Sequence, residues 1–172
     1  VADGMGGHAC GDVASQVARD RVVAEVRRGT ALEEAIAAAH RAILEAAAEI
    51  EGRRGMGSTV VAVQIEAANG AATIAWVGDS RAYLFRGTEL RRLTRDHSLV
   101  QYRVQQGELT PAEAEVHPER NVLIRCLGFD SPVIDQVRVT LDPGDALVLC
   151  SDGVTTMLDD QRMAELLGSA DS

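Results

Sequence analysis

Apolar residues recur at three- and four-residue spacing through the first third of the chain, and alternate with polar ones through much of the rest. From 11 to 28, Val13, Val17 and Ala24 fall on one side while Arg19, Asp20, Arg27 and Arg28 lie elsewhere, which predicts a helix. Gly29 stops it, and Thr30, with Glu33 at the capping-box position, is placed to start another. That second helix has the clearest period in the chain. Leu32, Ile36, Ala39, Ile43, Ala47 and Ile50 form a stripe, with Glu33, Glu34, Arg41, Glu45 and Glu49 on other faces. Two amphipathic helices of this kind are expected to lay one apolar face each on a sheet. His40 borders the stripe and reads as a core histidine rather than a ligand.

A Gly-rich loop at 52–57 ends the helical region, and β-type runs follow at 58–66, 72–77, 82–85 and 90–93. Asn69-Gly70 between the first two is a hairpin signal, and Arg86-Gly87-Thr88 marks a further turn. Residues 96–120 break the pattern. They are polar, with short helices predicted at 99–106, ended by Gly107, and from Thr110-Pro111 to 115. An excursion of this length between strands serves function or covers a face, and it reads as a mobile flap beside a site. Strand character returns at 122–127, alternates at 133–141 through Val137, Val139 and Leu141, and turns at Asp142-Pro143-Gly144-Asp145. The apolar run 146–150 suits a central strand, and a last helix spans about 159–167. The pattern predicts an α+β chain, one domain over 1–172, with a largely antiparallel sheet and helices on its faces.

Composition adjusts this picture little. Aromatics make up 3% of 172 residues, so Ala, Val, Leu and Ile must fill the core that 46% hydrophobic content implies. The net charge of −9 argues against nucleic acid or an anionic membrane as partner, and favours divalent cations. Cys10, Cys126 and Cys150 are widely spaced and form no metal or disulfide pattern, which points to a reducing compartment and a cytoplasmic location. Cys150 and Trp76 read as core. No run approaches the ~20 apolar residues of a membrane span. The chain opens on Val1 rather than methionine, which leaves an upstream leader open.

The candidate chemistry lies in a repeated local grammar. Asp3, Asp79 and Asp152 each follow a β-type apolar stretch and precede Gly or Ser, so each should sit where a strand gives way to a turn. They are either three unrelated turn aspartates or a convergent set. A convergent set would repel itself unless neutralised, and with no matching lysine cluster beside it a cation is the readiest neutraliser. Oxygen-only ligands select Mg²⁺ or Mn²⁺ over zinc. Two such ions can lower the pKa of a water and stabilise a phosphoryl oxygen during in-line displacement.

Five segments stand in one order: Val-Ala-Asp-Gly-Met-Gly-Gly-His at 1–8, Gly-Met-Gly-Ser-Thr at 55–59, Val-Gly-Asp-Ser-Arg at 77–81, Thr-Arg-Asp-His-Ser at 94–98 and Leu-Cys-Ser-Asp-Gly at 149–153. Together they resemble the bacterial branch of the metal-dependent serine/threonine protein phosphatases, the protein phosphatase 2C or PPM family. The resemblance implies an αββα sandwich, two antiparallel sheets flanked by helices. It implies that Asp3 bridges two metals, that the Gly4 carbonyl ligates one, that Asp152 holds the other, and that Asp79 joins Asp152 at a third, weaker site. The implied reaction is direct attack of metal-activated water on phosphoserine or phosphothreonine in proteins, opposing a bacterial kinase, with the 96–120 flap shaping access. A monomer is expected.

Departures accompany the resemblance. Family members carry an acidic residue and a phosphate-holding arginine before the Asp-Gly motif and an Asp-Asn motif after Ser-Asp-Gly; neither occurs here. The domain is therefore expected to be incomplete at both ends, and the 172-residue chain weakly active or inactive. Met5 stands where eukaryotic members place a histidine general acid, which leaves His8 or His117 as substitutes. Arg81 is expected to brace its loop rather than grip phosphate, and His97 to fix the turn after the 90–93 strand. Two alternatives share the fold: a pseudophosphatase that binds phosphoproteins without hydrolysing them, and a partner-switching regulatory module.

Overall fold

A computed structural model describes residues 1–6, 8–49, 55–130 and 132–170. Among them, helices α1 (His8–Arg27) and α2 (Leu32–Glu49) form an antiparallel pair against the first of two three-stranded sheets. That sheet has the order β3-β4-β7, from Val60–Glu66, Ala71–Val77 and Asp135–Thr140. The second has the order β6-β5-β8, from Glu89–Arg92, Arg81–Arg86 and Ala146–Cys150. A two-stranded ladder, β1 (Gly4–Met5) with β2 (Gly57–Ser58), lies beside the first sheet, and all pairings are antiparallel.

Alternation along β3 builds the layers, because neighbouring side chains point to opposite faces. Val60 joins the helical core of Ala14, Ala18, Ile36, Ala39 and Ile43. Val61 turns the other way and packs between the sheets with Ile74, Trp76, Ala82, Leu147 and Leu149. On the far face of the second sheet, Tyr83 and Cys150 bury Met163 of helix α6 (Asp160–Ala170). The order helix–sheet–sheet–helix is the αββα sandwich expected, built from small aliphatics with few rings. Trp76 and Cys150 are buried as foreseen. His40 is a core histidine whose Nδ1 accepts the Gly128 N–H at 3.2 Å.

The hairpins follow their turn residues. Glu66 pairs with Ala71 across a four-residue loop, where Asn69 Oδ1 accepts the Ala71 N–H at 2.9 Å. Arg86 pairs with Glu89 across Gly87-Thr88. The flap forms two short helices, α3 (Leu99–Gln105) and α4 (Pro111–Val116), the first capped by Ser98 and the second by a Thr110–Glu113 capping box.

Several expectations are corrected. Helix α1 begins three residues earlier than its apolar period suggests. Residues 122–127 form no strand, because their pairing is split: Leu123 bridges Ser98 and the Ile124 N–H reaches the adjacent His97 carbonyl at 2.8 Å, but Leu127 then bridges Ser58. They act as a strap across the sandwich end. Strand β8 is an edge strand among the described residues, half-buried along most of its length. A short helix, α5 (Asp152–Thr155), follows it directly. Ile50 and most of the 52–57 loop lie outside the described residues.

Candidate active site

Strand register brings the three aspartates to one end of the sandwich. Arg81 of β5 pairs with Cys150 of β8, so two positions further along, Asp79 comes opposite Asp152. Val60 pairs with Val77, which puts Thr59 beside Gly78. Gly4 pairs with Ser58, which puts Asp3 beside Thr59. Hydrogen bonds lock this row. Thr59 N–H donates to the Asp3 carbonyl at 2.8 Å, the Asp3 N–H donates to Thr59 Oγ1 at 3.1 Å, and Ser58 Oγ donates to the Asp3 carbonyl at 3.0 Å. Thr59 Oγ1 and Ser80 Oγ are 2.7 Å apart, so one hydroxyl pair links the Asp3 backbone to the loop carrying Asp79. Ser58, Thr59 and Ser80 are all buried. The sequence reading assigned these hydroxyls no role; the signal was there, as small polar residues beside glycine in otherwise apolar strands.

Glycine is required here by close packing. A Cβ on Gly4 would come within 1.9 Å of the Gly11 carbonyl oxygen, and one on Gly11 within 2.7 Å of the Gly4 carbonyl oxygen. Gly78 has φ +105°, and a Cβ there would meet the Thr59 side chain at 2.6 Å.

The carboxylates feel one another. Burial raises the Asp3 pKa, and the Asp152 charge and a hydrogen bond shared with Asp152 raise it further, while Ser151 and the Gly4 N–H pull it down. Asp79 is pushed up to about 6, first by burial and then by Asp152, Asp96 and Asp3. Asp3 and Asp152 are thus a repelling pair, and Asp79 lies within the field of both. Among the described residues, no group of three His, Cys, Asp or Glu is arranged to hold a metal ion. The donor set still fits a hard divalent cation, since it offers oxygen ligands and an unneutralised like-charge pair.

The nearby arginines are already engaged. Arg81 forks onto Asp96, with Nη2 to Oδ2 at 2.8 Å, and Arg92 bonds the other oxygen. Arg81 therefore braces its loop, as expected, and Asp96 is a partner that sequence reasoning missed. His97 is buried, and the turn it fixes is Gly78's rather than its own. His117 ends α4, where its Nδ1 accepts the Glu119 N–H at 3.1 Å, so its hydrogen bond stays within the flap region. The side chain of His8 lies outside the described residues. A cleft of about 390 Å³ separates Met5 from the 121–130 strap, lined by Leu123, Ile124, Cys126 and Phe129.

Comparison with known proteins accords with this arrangement. The family described as protein phosphatase 2C matches residues 1–169. The chain is 39% identical over 181 residues to a serine/threonine phosphatase stp of Listeria innocua, covering 98% of this chain and 71% of that one. It is 38% identical over 178 residues to protein phosphatase PhpP of Streptococcus pneumoniae, covering 98% and 72%. Among solved structures, the serine/threonine phosphatase PstP/Ppp of Mycobacterium tuberculosis superposes with a TM-score of 0.84 at 33% identity, covering 95% of this chain and 72% of that one. The catalytic domain of a phosphatase PstP in complex with two manganese ions superposes at 0.78 and 32% identity, over 95% and 70%. With the carboxylate row, the four-layer sandwich and these relatives in agreement, the chain belongs to the protein phosphatase 2C family.

Proposed function

We propose that this protein is a metal-dependent phosphatase of phosphoserine and phosphothreonine in proteins, acting in the cytoplasm against the products of a bacterial serine/threonine kinase. The observation that carries the reading is the Asp3–Asp152 pair, two carboxylates within hydrogen-bond reach at the end of a β-sandwich, with Asp79 pushed up to about 6 beside them. Such a pair is unstable when both members are ionised, and divalent cations relieve it.

In this reading Asp3, the Gly4 carbonyl and Asp152 would hold two ions, and Asp79 with Asp152 would hold a third more weakly. Bound Mn²⁺ or Mg²⁺ supplies Lewis acidity, making an attacking water acidic enough and balancing charge on the phosphoryl oxygens. The chain's own residues do the rest. Ser58 and Thr59 fix the Asp3 main chain, and Ser80 ties the Asp79 loop to the same hydroxyls. Arg81 is held by Asp96 and leaves phosphate charge to other groups. His8 and His117 are the side chains proposed to protonate the leaving serine oxygen. Residues 1–172 act as one catalytic domain, with 96–120 as the flap that shapes substrate access.

The test is turnover of a phosphothreonine peptide with Mn²⁺ by the full-length protein. Activity should vanish with EDTA and fall by at least ~10³-fold in Asp152→Asn. EDTA-resistant turnover, or an Asp152→Asn variant as active as the wild type, contradicts the reading. Peptide binding without turnover would favour the pseudophosphatase instead.

A further inference from the structure

The segment 94–98 does more than join β6 to the flap, because each of its residues bonds across the Asp79 turn, its flanking strands or the flap root. Thr94 Oγ1 accepts the Ala82 N–H at 3.1 Å, the Arg95 carbonyl accepts the Trp76 indole N–H at 2.8 Å, and Asp96 takes the Arg81 fork. Ser98 caps α3 of the flap. Between them, His97 grips both main-chain groups of one residue, Gly78. Its main-chain N–H donates to the Gly78 carbonyl at 3.0 Å, and its ring Nδ1 accepts the Gly78 N–H at 3.1 Å.

This grip depends on one tautomer. Nδ1 can accept only if the ring proton sits on Nε2. The Asp135 carboxylate of β7 stands 3.3 Å from Nε2, off the line of a full hydrogen bond but placed to favour that proton. The ring stacks on Trp76, centroids 6.2 Å apart, so it cannot swing away without opening the core between the sheets. Gly78 has a left-handed φ and immediately precedes Asp79. A rotation of its peptide would carry the Asp79 carboxylate out of line with Asp152.

Resting on the phosphatase reading, we propose that His97 is a positioning residue for the reaction. Its Nδ1, oriented by Asp135, holds the Gly78 peptide so that Asp79 stays in register with Asp152. Ser98 follows directly, so the flap root and the Asp79 turn share one rigid strip. His97 touches neither substrate nor reacting atoms, and its effect runs through the backbone.

The experiment compares His97→Asn, whose Oδ1 can stand near the place of Nδ1, with His97→Gln, whose side-chain oxygen stands near that of Nε2. Expected is a loss of kcat of about tenfold or more in H97Q on p-nitrophenyl phosphate and on a phosphothreonine peptide alike, with KM within about threefold, and substantial recovery in H97N. A second arm needs no turnover. In the metal-free wild-type protein, nitrogen-15 NMR should show the Nε2–H tautomer at His97, and the Gly78 amide should exchange slowly, with protection kept in H97N and lost in H97Q. An Nδ1–H tautomer, a fast-exchanging Gly78 amide in the wild type, or a folded H97N as impaired as H97Q would overturn the proposal. Turnover is read on the full-length protein, and inactivity there with the tautomer and the protection kept would count against the phosphatase reading alone. If both variants fail to fold, the wild-type NMR arm decides.

Discussion

The two ends of the β5–β8 ladder carry opposite electrostatics. At one end, the register that pairs Phe85 with Ala146 brings Arg86 opposite Asp145, and Arg86 Nε donates to Asp145 Oδ1 at 2.9 Å. That hydrogen bond, helped by the Asp142 N–H, holds the Asp145 carboxyl below its ordinary range. At the other end, the same register brings Asp79 opposite Asp152, and Asp79 is pushed up to about 6. Both Asp79 and Asp145 are turn aspartates beside β-strands, and local sequence does not separate them. What separates them is a cation supplied, or withheld, by a residue far away in the chain. One end is a finished turn; the other is a site left with charge to be satisfied.

Substitutions at the two ends should therefore diverge, and the largest divergence should be in turnover. Asp152→Asn should cost at least ~10³-fold in kcat, whereas Asp145→Asn should leave kcat within about twofold. Comparable losses at both positions would erase the distinction. Gly78→Ala comes next. It combines a left-handed φ with a 2.6 Å clash on Thr59, and should destabilise by roughly 3 kcal/mol or more in urea unfolding. Gly144→Ala at the opposite turn also has a positive φ but meets nothing within 4 Å, so it should cost only about 1 kcal/mol.

A smaller effect concerns pH. Asp79 binds its proton more tightly folded than unfolded, so the native state holds more protons between the ordinary carboxylate value and about 6. Metal-free stability should accordingly rise as pH falls from 7 towards 4 through this group, and Asp79→Asn should flatten that slope while stabilising at pH 7 by on the order of 1 kcal/mol. Asp145, with a lowered pKa, has the opposite sign: its contribution is present at neutral pH and lost on acidification. Denaturation midpoints across pH for the two Asn variants check both slopes. The smallest effect is at the arginine. Arg86 is half exposed, so Arg86→Ala should give the smallest shift in the same assay.

Much of this molecule was legible from periodicity. The stripe of α2, the hairpin at Asn69-Gly70 and the flap helices follow from side-chain spacing and turn chemistry, which are local. The strap at 122–127 was not legible, because it divides its bonds between the 97–98 segment and Ser58 rather than pairing along one neighbouring strand. The edge position of β8 was hidden as well: its apolar run reads like a central strand, although only Cys150 at its end is fully buried. In the site, Asp3, Asp79 and Asp152 stood out by their shared grammar, but their spacing did not show which strand registers bring them to one end of the sandwich. Nor did it show that Asp96 would occupy Arg81, an ion pair 15 residues apart. The convergence of Thr59 with Ser80 depends on adding two registers together, which no local window contains.

The capping of the flap has a consequence of its own. Ser98 closes the start of α3, Thr110 and Glu113 close the start of α4, and Ser98 pairs with Leu123 where the excursion returns. An insert that satisfies its own helix ends and leaves and re-enters at neighbouring points behaves as a cassette. Its interior can be rewritten, in length as well as in sequence, with the seam at Ser98 and Leu123 as the part that must stay the same. The excursion can thus diverge while the carboxylate row stands still.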